Sequence, residues 1–261
     1  MLSLSQILEY YPQNLRIFKK HLLQEYSQYK ILEIIYNSKF ASNLVFLGGS
    51  ALRIVYQNQR FSEDLDFDNL GFSQKEFIEL SKLIKKRLAQ EGLVVETKLV
   101  FKAAHRCYIK ISKLLYTENL SDMTSEKLVI QIDVMPHNFE FCPQLYTLDK
   151  FDVYTKIKVT PIDLILAQKI FAILNRKRRM GRDFFDVDFL INNKNIIPNF
   201  KYLKGKINIS EPKTLKTKLK KELKNIDFKK MAKDVEIFLF DPKQKTRVEE
   251  FCSNIDKWNL G

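Results

Sequence analysis

The chain has 261 residues and is 45% apolar, enough to bury one large core or two modest ones. No apolar run reaches the length of a bilayer span, and the first twenty residues lack the basic start, apolar run and cleavage site of a secretory signal, so a cytoplasmic protein with no membrane association is expected. Lys and Arg total 44 against 31 acids, a net charge of +13 that attracts polyanions, with nucleic acid the leading partner class and a merely lysine-rich composition the plainer alternative. The three scattered cysteines, Cys107, Cys142 and Cys252, argue against a disulfide framework, favour reduced thiols and show no metal-ligand spacing.

In chain order, residues 14–37 read as an amphipathic helix and Val45-Phe46-Leu47 as a short buried strand. Gly48-Gly49-Ser50 then turns the chain into a helix from Ala51 to Tyr56. Phe61 to Phe67 reads as a strand, 73–91 as a helix, and 93–101, 106–112 and 128–134 as strands. At Thr160-Pro161-Ile162-Asp163 the character changes. Thr suits a helix cap, Pro the first helical position, and Asp the positive end of the helix dipole. Only helices are expected beyond it, at 161–175, 183–192, 213–225, 228–239 and 243–257. The expectation is an α/β (α+β) domain over 1–158, followed by a helical, basic domain over 159–261. Residues 201–233 carry twelve lysines against three acids, and a second basic cluster comprises Arg176, Lys177, Arg178, Arg179 and Arg182. A long phosphate ligand can bridge the two clusters if they face the same way.

The chemistry concentrates in Phe46-Leu47-Gly48-Gly49-Ser50 and Arg60-Phe61-Ser62-Glu63-Asp64-Leu65-Asp66-Phe67. Alternation along a strand places Asp64, Asp66 and Asp68 on one face, with Leu65 and Phe67 toward the core. Clustered carboxylates repel unless a cation lies between them, and Mg²⁺ takes such hard oxygen ligands. A solvated acidic strand edge is the plainer reading of Asp-x-Asp alone. The preceding Gly-Gly-Ser turn into a helix offers free backbone N–H groups to phosphate oxygens, although tight turns use Gly anyway. Asp133, in Ile130-Gln131-Ile132-Asp133-Val134, points away from the apolar face and is the candidate third carboxylate; an ordinary solvent-facing Asp is the alternative. His105 and His137 lie near these strands and are read as non-catalytic.

Lys169 falls in the apolar row of Ile162, Ile165 and Ala172 on a helix that is apolar almost all round. It needs either an anionic partner such as a triphosphate or a path to water along its own stem. Asp183 and Asp186, three apart, share a face of the next helix. Asp183 suits the helix start, and Asp186 is the better functional candidate.

These residues resemble the AbiEii/AbiGii toxin family of the DNA polymerase β-like nucleotidyltransferase superfamily. Gly48-Gly49-Ser50-Ala51-Leu52 and Arg60 to Phe67 look like its first motif; Lys169 to Ala172 and Arg182-Asp183-Phe184-Phe185-Asp186 look like its later ones. The likeness covers roughly residues 45–190. It implies a polymerase β-like core with a mixed sheet and a helical C-terminal domain, and transfer of a nucleotide from a nucleoside triphosphate to an acceptor hydroxyl. An RNA 3′ end, such as that of tRNA, is the acceptor it implies, with Mg²⁺ (or Mn²⁺) as cofactor and an antitoxin as a possible partner. By carry-over Asp64 and Asp66, with Asp133, hold the metals. Gly48, Gly49 and Ser50 hold the triphosphate, Lys169 meets a phosphate, and Asp186 supports the site. Two rival readings are a nucleotidyltransferase acting on a small molecule or protein hydroxyl, and a non-catalytic RNA-binding protein with a vestigial site.

Overall fold

Alternating apolar residues in the first part of the chain assemble a single mixed sheet. The computed structural model describes residues 1–102, 104–136 and 138–261, so His137 lies outside the described residues. The contacts divide the chain into two compact units: Met1–Ala51 with Phe61–Thr160, and Leu52–Arg60 with Pro161–Gly261. Residues 52–60 therefore belong with the second unit, where a cut near 158 would have left them in the first. The reason is local pairing: Arg60 bridges Leu239 antiparallel, and Phe240 donates its N–H to the Gln59 carbonyl at 3.2 Å.

The first unit runs α1 (Leu4–Glu9), α2 (Lys19–Tyr36), β1 (Leu44–Leu47), the start of α3 (Gly48–Ile54), β2 (Leu65–Asn69), α4 (Gln74–Gln90), β3 (Val94–Phe101), β4 (His105–Ser112), α5 (Leu114–Thr117), β5 (Lys127–Pro136), β6 (Gln144–Lys150) and β7 (Val153–Val159). The sheet order is β3-β4-β5-β2-β1-β7-β6. β1 is antiparallel to β2 and parallel to β7, and β2 is parallel to β5. Leu65 and Phe67 of β2 and Ile130, Ile132 and Val134 of β5 are buried, as alternation requires. α4 starts at a capping box in which Ser73 accepts from the Glu76 N–H and Glu76 accepts from the Ser73 N–H. Its Phe77, Leu80, Ile84 and Leu88 form the buried stripe.

The hairpin β6–β7 has no counterpart in the sequence reading. β6 is an edge strand whose one fully buried side chain is Leu148, so apolar alternation barely marks it. β2 begins only at Leu65, because the carbonyls of Ser62 and Glu63 are taken by side chains rather than by the ladder.

The second unit holds the end of α3, then α6 (Ile162–Asn175), α7 (Gly181–Asp188), α8 (Phe200–Ile207), α9 (Pro212–Leu223), α10 (Phe228–Glu236), α11 (Thr246–Glu249) and α12 (Phe251–Asn254). The helix expected over 243–257 is instead a chain of short helical pieces, and α7 ends in a π-helical turn over Phe189–Asn193. α8 is an addition, capped by the Asn199 side chain on the Tyr202 N–H at 2.9 Å. Thr160 does not cap α6, whose N-cap is Pro161; its hydroxyl donates to Asp68 Oδ2 at 3.1 Å. The three cysteines are unpaired, and burial pushes the Cys107 thiol up to about 12. Among the described residues no helix is long and apolar enough to cross a membrane.

Candidate active site

The first group of site residues lies on the sheet of the first unit. Asp66 of β2 is the in-register partner of Asp133 on the parallel strand β5. Both lie opposite the face that buries Leu65, Phe67, Ile132 and Val134, so the two carboxylates stand side by side. Asp64 immediately precedes β2. Its carbonyl accepts the hydroxyl of Ser50, a fully buried residue, which ties the start of α3 to the acidic segment. Gly48, Gly49 and Ser50 form the first turn of α3 itself rather than a turn ahead of it. Gly48 has φ +80°, and a Cβ there would overlap Oδ2 of Asp66. The position thus requires glycine twice over: for its backbone and for the carboxylate lying against it.

Three positioning residues escape a motif-based reading. Gln28 donates to the Ser62 and Glu63 carbonyls at 2.8 and 2.9 Å, and Gln24 reaches the Glu63 and Val129 carbonyls, each at 3.3 Å. Both glutamines sit on α2 one turn apart and are buried. Two amides at i, i+4 inside a buried stripe were the available signal. The third is Arg106 of β4, the in-register partner of Asp133. Its Nε and Nη2 donate to the two carboxylate oxygens of Asp133, each at 2.7 Å, a bidentate pair. Gln131 adds a further donor at 3.1 Å. The hydrogen bond to Asp133 raises the Arg106 pKa, so the guanidinium stays charged. One row of the sheet therefore reads Val100, Arg106, Asp133, Asp66 across four strands. His105 is packed beside Phe77 and Phe101.

The hard carboxylate oxygens of Asp64 and Asp66, the latter lying over the bare Cα of Gly48, suit a divalent cation such as Mg²⁺. Asp133 is committed to Arg106 instead. Among the described residues no three or more His, Cys, Asp or Glu side chains gather as a ready metal cage.

The second group lies in the second unit and is an ion network sealed around Asp186 and Arg60 and open to solvent at Arg176, which is 53% exposed. Asp186 is 0% exposed; Arg60, 1% exposed, donates to both its oxygens at 2.7 Å. Asn58 adds a bond at 2.7 Å, and Lys169 stands 2.9 Å away. Lys169 also meets Asp183 at 2.7 Å, and Arg176 takes the other Asp183 oxygen at 2.7 Å. The anionic partners that a buried lysine needs are thus two carboxylates of the same unit. Burial opposes the charge of Asp186, but Arg60 and Lys169 prevail and hold it down to about 2. Burial likewise opposes Lys169, and Asp183 and Asp186 raise it. Asp186 and Lys169 are thereby both held in their charged forms.

A sequence model of the family described as nucleotidyl transferase AbiEii toxin, type IV TA system, matches residues 30–251. No curated protein matches by sequence. Among solved structures the chain is similar to MenT4, a nucleotidyltransferase toxin from Mycobacterium tuberculosis, with a TM-score of 0.61 at 13% identity over 99% of this chain and 91% of that one. It is also similar to JHP933 from Helicobacter pylori, with a TM-score of 0.54 at 18% identity over 91% of this chain and 92% of that one. At these identities the likeness establishes the fold, a nucleotidyltransferase fold. With the family match spanning most of its length and carrying both acidic motifs, the chain belongs to the AbiEii nucleotidyl transferase toxin family of type IV toxin–antitoxin systems.

Proposed function

We propose that the protein transfers a nucleotidyl group from a nucleoside triphosphate to the 3′ hydroxyl of an RNA, with tRNA as the leading acceptor. The observation that carries this reading is the pairing of Asp66 with Asp133 across parallel strands, with Gly48 backing the Asp66 carboxylate. Asp64 and Asp66 would hold Mg²⁺ (or Mn²⁺), and Gly48-Gly49-Ser50 would lie along the triphosphate. The chemistry such an ion would supply there is neutralisation of the negative charge that builds up during transfer. The acceptor oxygen forms a bond to the α-phosphorus, the bond from that phosphorus to the β-phosphate oxygen breaks, and pyrophosphate leaves. Asp133 keeps lone pairs beyond those used by Arg106 and accepts the hydroxyl proton. Arg106, Gln24 and Gln28 keep the acids in place. Asp186 acts by holding Arg60 and Asn58, and Lys169 by holding Asp186, rather than by contact with the reacting atoms.

The excess of lysine over residues 201–233 supports a polyanionic acceptor. The setting is the cytoplasm, where nucleoside triphosphates, magnesium and RNA meet, and the family description supports a cognate antitoxin as partner. The test is to incubate the protein with Mg²⁺, total RNA and each labelled nucleoside triphosphate in turn, beside an Asp64→Ala, Asp66→Ala double variant. Label on RNA with the wild type alone is expected. No label with any of the four overturns the RNA assignment and moves the reading to a small-molecule or protein hydroxyl.

A further inference from the structure

The two basic clusters, over residues 176–182 and 201–233, meet in the second unit at Lys177, Arg178, Arg179 and Lys230. The segment between α6 and α7 carries Lys177, Arg178 and Arg179 and leads into Gly181, the first residue of α7, which packs on α10. Gly181 donates its N–H to Asp234 at 2.8 Å and lies so close to the Met231 carbonyl that a Cβ would overlap it. This contact leaves a cleft of about 390 Å³, lined on one side by Lys177, Arg178 and Arg179 and on the other by Asn225 and Lys230. That size falls at the small end of ligand clefts, which run about 300–1,000 Å³.

Two acids also line the cleft, and both are committed to backbone amides. Asp234 serves Gly181, and Asp227 caps α10 by accepting from the Lys230 N–H at 3.0 Å. Among the described residues no carboxylate forms an ion pair with Lys177, Arg178, Arg179 or Lys230. Arg179 is oriented by its Nε donating to the Ile173 carbonyl at 2.8 Å. Four cations thus face a shared space with a net positive charge, and among the described residues none of the four is ion-paired to a carboxylate. None of the lining residues is aromatic, so nothing there offers a surface on which a base would stack. Exposed Lys221, Lys224, Lys229 and Lys233 extend the positive field on either side.

We infer that this cleft is a phosphodiester-binding site that grips the backbone of the RNA acceptor without reading its bases. The inference rests on the RNA-directed reading above and adds the place at which the acceptor is held. Phosphate contacts made by lysine and arginine release counterions, so each one steepens the salt dependence of binding by about 0.7–0.9 in the logarithmic slope.

The experiment measures binding of a fluorescently labelled tRNA by anisotropy across a salt series. It compares wild type, the triple variant Lys177→Glu, Arg178→Glu, Lys230→Glu, and a control triple Lys85→Glu, Lys86→Glu, Arg87→Glu on α4 with the same change in net charge. The corresponding Gln substitutions in the cleft guard against a folding defect, since they remove charge without adding any. The cleft variants are expected to lose at least about tenfold in affinity and about 2–3 in the slope, with the control much less affected. Unchanged slope in the cleft variants, an equal loss in the control, or no tRNA binding by wild type overturns the inference. If the cleft variants bind tRNA as wild type does while RNA is still labelled, the cleft fails and the transferase reading stands. If the cleft variants lose binding but wild type labels no RNA, the transferase reading fails and the binding site stands.

Discussion

The two acidic centres of this chain differ in what surrounds the same side chain. On the sheet of the first unit, half-buried Asp66 lies beside Asp133, which is itself buried but meets a cation, Arg106, that is 38% exposed. In the second unit, Asp183 and Asp186 are sealed with Arg60, Asn58 and Lys169. A carboxylate that meets its cations in the interior cannot be spared for chemistry, because breaking the pair strands a charge away from water. On the sheet, Arg106 already neutralises Asp133, and the proposed metal ion is the charge that Asp64 and Asp66 would share. The exposure of the paired guanidinium, 38% for Arg106 against 1% for Arg60, rather than residue type or spacing, separates the proposed chemical centre from the buried ion network.

The contrast breaks most sharply at Asp186. Asp186→Ala leaves Arg60 and Lys169 buried and underpaired, and a loss of about 3–5 kcal/mol is expected in urea unfolding. A loss below about 1 kcal/mol would mean that the network is not structural. Gly181→Ala drives a methyl group into the Met231 carbonyl and should cost about 1–3 kcal/mol, and it should also weaken RNA binding by reshaping the basic cleft. Acid titration sharpens the comparison. Asp186 is depressed to about 2 from an ordinary value near 4, so its stabilisation is fully present above about pH 4 and is lost as pH falls toward 2. The magnitude is on the order of 2 kcal/mol, and the acid limb of the stability curve should flatten in Asp186→Ala.

Smaller stability effects are expected on the sheet. Arg106→Gln removes a bidentate pair that is more than a third exposed on the arginine side, at a cost of about 1 kcal/mol. Its larger effect falls on nucleotide transfer, because Asp133 loses its orientation. A variant with wild-type transfer would remove Arg106 from the site. Asp66→Ala should change stability by no more than about 0.5 kcal/mol while abolishing transfer. Thermal melts beside the labelling assay check both halves, and a strongly destabilised Asp66→Ala would place that residue with the structural group.

Much of this was legible beforehand, for identifiable reasons. β5 was readable because Ile130, Ile132 and Val134 alternate with polar residues, and the same alternation turned Asp133 to the opposite face. α4 was readable from its apolar stripe. The hairpin β6–β7 was not, since an edge strand with few buried positions leaves little periodicity. Thr160 illustrates a different limit: its sequence context is that of a helix cap, and a distant carboxylate, Asp68, claims its hydroxyl instead.

What the sequence determined by itself was local: which residues repeat with the period of a strand or a helix, where glycine interrupts them, and which motifs they compose. Those features suffice for the fold class, for the family and for the acids Asp64, Asp66 and Asp133 as candidates. Only the tertiary structure decided partnership. It set Asp133 beside Asp66 and under Arg106, gave Lys169 to Asp183 and Asp186, moved residues 52–60 into the second unit, and drew Lys177, Arg178 and Lys230 around one cleft. The physical reason is that electrostatic and hydrogen-bond energies depend on distance and desolvation between residues remote in the chain, and neither quantity is carried by the order of the residues alone.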